Sequence, residues 1–224
     1  MNSSDFSSDS PSRRMSKVLA VAALALGLAG CAGLGNVAPA PQVLDVGQSQ
    51  EPKVRLPARA PIVIQAVETA PLLRGDGVIW REKGSQEPQA YASFQWASPP
   101  ADLFAQRLRS RLAVEGPVVQ NNVSGSLPEL SVTLERFEQV FDPSARHTGS
   151  PASSGDIAVR AVLTRGGTVV DQLRLAYSIP AASADAAGGA RALRAGVDAV
   201  AESIAQWLSQ QPVLRAGSQP AGAR

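Results

Sequence analysis

One imidazole and one thiol are available for chemistry, His147 and Cys31. His147 lies in Ser144-Ala145-Arg146-His147-Thr148-Gly149-Ser150. A Ser-His-Asp relay needs such a ring held by a carboxylate and facing a serine. No serine stands in a Gly-x-Ser-x-Gly setting, so His147 reads as a surface-loop side chain. Asp142 and Asp156 flank the same loop, and no feature pairs them for two-carboxylate hydrolysis. Gly30, Gly33 and Gly35 follow no strand, so no phosphate loop is expected. A single Cys and a single His exclude a Cys/His zinc site and an intramolecular disulfide. No catalytic residue, metal or cofactor is expected.

Two groups of side chains could instead meet a partner. Arg107, Arg109 and Arg111 crowd one stretch. They either face an acidic partner or form a solvated helix face, where the C-terminal end of the dipole favours cations. Trp80, Tyr91, Phe94 and Trp96 fall in adjacent predicted strands. A period of two separates Tyr91 from Phe94 and Trp96, which places aromatics on both faces. Core packing accounts for most of them. Trp80 and Tyr91, with Arg107 and Arg111, are the candidate partner-interface residues.

Cys31 carries the strongest signal. Residues 1–17 are polar and end in Arg13, Arg14 and Lys17, and an apolar run follows from Val18 to Gly30. This is the layout of a secretory signal, and the run is shorter than the roughly 20 residues that span a bilayer. It ends in Leu28-Ala29-Gly30-Cys31, which resembles a bacterial lipobox. The resemblance implies cleavage before Cys31, acylation of its thiol and new amine, and stable anchoring by several chains. Ala32, not Asp, follows the cysteine; by the usual sorting rule this favours the outer membrane. The sequence after Arg13-Arg14 lacks the hydrophobic positions of a twin-arginine signal, and Met15 would give a more compact start.

The elements around these residues follow from composition and period. Lys+Arg is 21 and Asp+Glu 19. That balance leaves no excess to neutralise many phosphates, so nucleic acid is not an expected partner. Residues 31–58 are rich in Gly, Ala, Pro and Gln and read as a flexible tether. The folded domain is expected over 59–210, and 211–224 as a disordered tail. Strands are predicted over 62–67, 78–81, 90–96, 130–141, 156–163 and 169–179. The alternation shifts at Glu135-Arg136-Phe137, as at a bulge. Ser98 is the expected N-cap of a helix carrying Phe104, Leu108 and Leu112 on one stripe. A second helix, from Ser183 to about Gln210, carries Leu193, Val197, Val200, Ile204 and Trp207, with Gly188, Gly189 and Gly196 as weak points. The fold class is α+β: one domain, an antiparallel or mixed sheet with two amphipathic helices on one face.

These residues resemble a family. Leu56-Pro57, Pro61-Ile62-Val63-Ile64 and Leu72-Leu73-Arg74-Gly75-Asp76-Gly77-Val78-Ile79-Trp80-Arg81 come first. Then follow Tyr91-Ala92-Ser93-Phe94-Gln95-Trp96-Ala97-Ser98-Pro99-Pro100, Leu130-Ser131-Val132-Thr133-Leu134-Glu135-Arg136-Phe137 and Trp207-Leu208. Their order is similar to that of the ABC-type transport auxiliary lipoproteins, which include the paraquat-inducible protein C-like lipoproteins. The family more often has Tyr where Trp80 stands. The resemblance implies a non-enzymatic, lipid-anchored outer-membrane component of an MCE-type lipid transport system. Its implied partners are a periplasmic MCE-domain protein, an inner-membrane permease complex reached indirectly, and membrane lipid through the acyl anchor. Self-association is a further expectation. The other reading is a structural lipoprotein that supports assembly of an outer-membrane barrel.

Overall fold

The computed structural model describes residues 39–47, 51, 52, 54–120, 126–148 and 152–215. The chain divides into two units, Met1–Ala40 and Pro41–Arg224, and the second holds every element below. Among the described residues nine strands form one mixed sheet. The strand with the most partners is β7 (Glu129–Phe141), which pairs with four others. Along one edge β7 is antiparallel to β8 (Ser153–Arg165), which is antiparallel to β9 (Thr168–Pro180). Along its other edge three short strands dock in succession, all parallel. β2 (Ile62–Ile64) pairs at Glu129 and Leu130, β3 (Glu68–Thr69) at Thr133 and Leu134, and β4 (Gly77–Glu82) from Gln139 to Phe141. β5 (Gln89–Trp96) runs antiparallel to β4, and β1 (Gln42–Leu44) lies parallel to β5; β6 (Val118–Val119) lies parallel to β2.

The expected bulge is present. The β7–β8 register slips between Leu134 and Arg136, so Leu134 and Phe137, three residues apart, both point inward at 0% and 1% exposure. The β8–β9 turn is Gly166-Gly167, with φ +55 and +77, a left-handed pair that favours glycine. Ile62, Val63 and Ile64 are all buried, as a strand covered on both faces should be.

Two helices supply the apolar cover for one face: α1 (Pro100–Leu112) and α3 (Ala186–Ser209), with a single-turn α2 (Ala145–Thr148) between them in sequence. Phe104, Leu108 and Leu112 are fully buried, and so are Leu193, Val197, Val200 and Ile204. The cap of α1 differs from expectation: Pro99 is the N-cap, with no side-chain cap bond, and Pro100 starts the helix. Pro suits that first turn because the amide it lacks would have no helical partner. The true side-chain cap is on α3, where Asp185 accepts from the Gly188 amide at 2.6 Å.

The glycines of α3 have a packing reason. A Cβ on Gly155 of β8 would stand 2.6 Å from the Leu193 amide nitrogen, and one on Gly196 would stand 2.8 Å from Ile157. Helix and sheet therefore meet at backbone distance here, which a helix propensity scale does not register.

Two boundaries need correction. Gln42–Leu44, inside the expected tether of 31–58, is a sheet strand, and Val46 beyond it is 3% exposed. Pro212–Leu214, inside the expected tail of 211–224, is a 3₁₀ turn with Leu214 buried, and Arg215 bridges Arg59. Neither segment has a period of its own; each takes its order from an edge already formed.

Candidate functional site

The arginines expected to face outward point inward. Arg107 is 3% exposed and Arg111 5%. Arg107 grips Asp198 of α3 through two bonds, Nε to Oδ1 at 2.6 Å and Nη2 to Oδ2 at 2.9 Å. Its Nη1 donates to the Gly47 carbonyl at 2.8 Å, tying down the chain just after β1. One turn on, Arg111 donates from Nε to Glu202 at 2.7 Å and from Nη1 to Glu115 at 2.6 Å. Burial disfavours the Arg111 charge, but the two carboxylates outweigh it and raise its pKa. The acidic partner is thus the chain's own α3, and the expectation of a solvated or partner-facing arginine pair is corrected. Arg109 remains half-buried.

Both ion pairs join residues 91 positions apart, so α1 and α3 run side by side in one direction. Parallel neighbours bring like dipole ends together. The end of α1 is relieved by Arg59, whose Nη2 donates to the Leu112 carbonyl at 2.7 Å and to that of Gly116 at 3.2 Å. Arg59 is buried, and desolvation holds its pKa below the usual value against the pull of Glu115. Asp198 and Glu202 were missed in the sequence. Their spacing of four matches that of Arg107 and Arg111, which is the signal that could have found them.

Beside this lattice lies a groove of about 550 Å³, lined among others by Glu51, Arg111, Tyr177, Arg194, Asp198 and Glu202. The Tyr177 and Ser203 hydroxyls share a hydrogen bond of 2.7 Å on its wall. Three acids (Glu51, Asp198, Glu202) balance three arginines (Arg111, Arg191, Arg194) in its lining, so it offers hydrogen bonding without a net field of one sign.

Trp80 and Tyr91 are half-buried members of an aromatic row. Ring centroids are 5.6 Å from Phe141 to Trp80, 6.1 Å from Trp80 to Tyr91 and 5.8 Å from Tyr91 to Phe94. Tyr91 donates its hydroxyl to Gln139 Oε1 at 2.9 Å, and Gln139, fully buried, donates to Ser153 at 2.8 Å. Burial, with Asp185 nearby, raises the Tyr91 pKa. Trp96 packs on Phe137 at 5.3 Å. The aromatics therefore share the helix-bearing face, contrary to the expected split. The β4–β5 register slips between Gly77 and Ile79, which pair with Gln95 and Ala90, and this irregularity cancels the change of parity along β5.

His147 is exposed in α2. Asp142 accepts from Lys83 Nζ at 2.8 Å and from the amide and hydroxyl of Ser144, which hold its carboxyl down at about 2. Asp156 accepts from Ser154 and Ser178. Both acids are occupied by structural partners. Cys31 lies outside the described residues.

Comparison with known proteins follows the same lines. A model of the family described as ABC-type transport auxiliary lipoprotein component matches residues 43–205. The crystal structure of a Xanthomonas campestris protein of family DUF330 superposes with a TM-score of 0.64 at 18% identity, covering 74% of this chain and 93% of that one. A second crystal structure, of an uncharacterized protein, gives 0.60 at 14%, covering 75% and 99%. At those identities the likeness is one of fold. No curated protein matches the sequence.

Proposed function

The chain belongs to the ABC-type transport auxiliary lipoprotein components, and from that premise we propose that it is the lipid-anchored, outer-membrane docking subunit of an MCE-type intermembrane lipid transport system. The match over 43–205 carries the reading, because the matched region takes in almost the whole folded unit and the family is a transport component, not an enzyme family. In this reading Cys31 is acylated, and the fold begins eleven positions later at Gln42. Eleven residues reach at most about 40 Å, which keeps the domain beside the bilayer. A periplasmic MCE-domain protein is the direct partner, and the permease complex is reached through it. The half-buried Trp80 and Tyr91 are the contact residues that remain from the sequence reading, since Arg107 and Arg111 are spent within the fold.

Two experiments test this. Cys31→Ser should move the chain from the membrane to the soluble fraction and remove the acyl mass; retention without acylation refutes the anchor. A photoreactive residue replacing Trp80 in cells should capture an MCE-domain protein. Capture of an outer-membrane barrel protein instead would favour the assembly reading, and no adduct would remove the aromatic row from the interface.

A further inference from the structure

The groove along α3 is neutral as a whole but uneven along its length. Arg191, Arg194, Ala195, Asp198, Ala199 and Glu202 of its lining recur at spacings of three and four, on one stripe of the helix. Ala195 and Ala199 end in a single methyl, so the floor between the charged side chains is low. Two of the acids are matched by arginines of α1: Asp198 takes both its bonds from Arg107, and Glu202 is held by Arg111. The arginines at the other end are not matched in this way. Arg191 donates to the Ser183 hydroxyl and Arg194 to the Asp45 carbonyl, both neutral and both at 3.2 Å. Asp185, near Arg191, is engaged by the Gly188 amide. With Asp198 and Glu202 covered, two cations face the single carboxylate of Glu51. The Arg194 guanidinium also lies close on the chain beyond β1, where a Cβ on Gly47 would stand 2.8 Å from its Cζ. Three buried side-chain donors lack a hydrogen-bond partner among the described residues, and two of them, Arg194 Nε and Arg111 Nη2, belong to the groove lining. Such donors are uncommon, and each marks a missing acceptor.

We propose that this groove binds a glycerophosphodiester, with its phosphate on Arg194 and Arg191 and its glycerol oxygens toward Arg111. The sign follows from the unmatched arginines, and a guanidinium suits phosphate oxygens because its N–H groups form a planar fork. A singly charged diester fits an end that holds two cations and one acid better than a doubly charged monoester does. The length follows from the two unpartnered donors. Arg111 is bonded to Glu202, eight positions beyond Arg194, or about 12 Å along the helix axis. A bare phosphate meets only one of them, whereas a glycerol arm carries acceptor oxygens from one toward the other. The Tyr177 and Ser203 hydroxyls line the same path. The head of a phospholipid and a free glycerophosphodiester share this chemistry; the lipid would lay the start of its acyl chain over Ala195 and Ala199. The site deepens the transport reading proposed above by giving the domain itself a lipid chemistry to hold. Its binding is measured on the chain alone, so either can fail without the other.

The test is calorimetric titration of the purified full chain in dodecylmaltoside micelles with three probes: inorganic phosphate, glycerophosphoglycerol and lysophosphatidylglycerol. Wild type should bind glycerophosphoglycerol about tenfold more tightly than inorganic phosphate. Arg194→Gln should weaken that binding about tenfold, the worth of one charged hydrogen bond. Ala199→Met fills the floor without touching an ion pair and should weaken it as much, with the circular dichroism spectrum in place. Ala199→Ser should bind as wild type does. If one of the two weakening variants does not fold, the other carries the test. Lysophosphatidylglycerol binding at least tenfold more tightly than the free diester assigns the groove to a lipid, and equal affinities assign it to the free diester. No binding of either diester overturns the proposal. So does inorganic phosphate binding as tightly as the diesters, or an affinity unchanged in folded Arg194→Gln or Ala199→Met.

Discussion

Arg111→Met separates a structural arginine from a partner-facing one. The side chain is 6% exposed and holds two carboxylates, Glu115 at 5% and Glu202 at 21%. Removing it strands both. Loss of one member of a buried ion pair costs 3–5 kcal/mol in comparable cases. Water reaching Glu202 moves the expectation to the low end, about 3 kcal/mol. For a chain of this size each kcal/mol shifts the thermal midpoint by roughly 2–4 °C. The variant should therefore melt about 6–12 °C below wild type, with urea unfolding giving the same free-energy difference. A double-mutant cycle with Glu202→Gln should return a coupling of about 1–3 kcal/mol. Replacing all three groups by apolar residues of similar size should recover much of the loss, since a well-packed apolar cluster is often no worse than the ion pair it replaces. A single variant within about 0.5 kcal/mol of wild type, the margin of an ordinary surface change, would refute the reasoning.

Three further outcomes are expected. Gly155→Ala should destabilise by about 2 kcal/mol in urea, because the new methyl meets helix backbone that cannot give. Gly77→Ala, whose methyl would find its first neighbours at 3.8 Å, should change little; the reverse order would show that α3 is free to ride outward. Tyr91→Phe should cost about 1 kcal/mol through the unpaired Gln139 amide oxygen, and an unchanged chemical-denaturation midpoint would disprove that link. Asp142 has a carboxyl depressed to about 2, so its contribution is fully present above the ordinary carboxylate value and fades as pH falls from about 4 toward 2. A carboxyl carbon titration by NMR reads this directly, and a midpoint near 4 would mean that Lys83 and Ser144 do not hold it.

Much of the fold was legible because its main elements announce themselves by period. The stripe from Leu193 to Trp207 and the broken alternation at Glu135-Arg136 state a helix and a bulge in the side chains alone. The elements missed have no period to read. Gln42–Leu44 is a strand because β5 offers an edge, and the run from Ile62 breaks after Ile64 because β3 takes over pairing with β7 from Glu68, directly after Val67. The site was half legible. Arg107 and Arg111 were identified by type and spacing, but their direction depends on an acidic pair 91 positions away, and a local window reads them as solvated. The family resemblance reached the correct kind of protein through the order of elements, not through any one reactive residue.

The docking of β2, β3 and β4 in a row on β7 also sets a problem of timing. All three lie ahead of β7 in the chain, and their pairing residues are about 60 positions or more from those they meet. A chain made from its N-terminus presents these short strands before the edge they need exists. The three strands after that point are different: β7, β8 and β9 form a meander of local contacts, the kind that closes early and fast. Assembly therefore runs against the direction of synthesis. The C-terminal meander becomes the template, and β2, β3 and the open edge of the β4–β5 hairpin wait to be added to it.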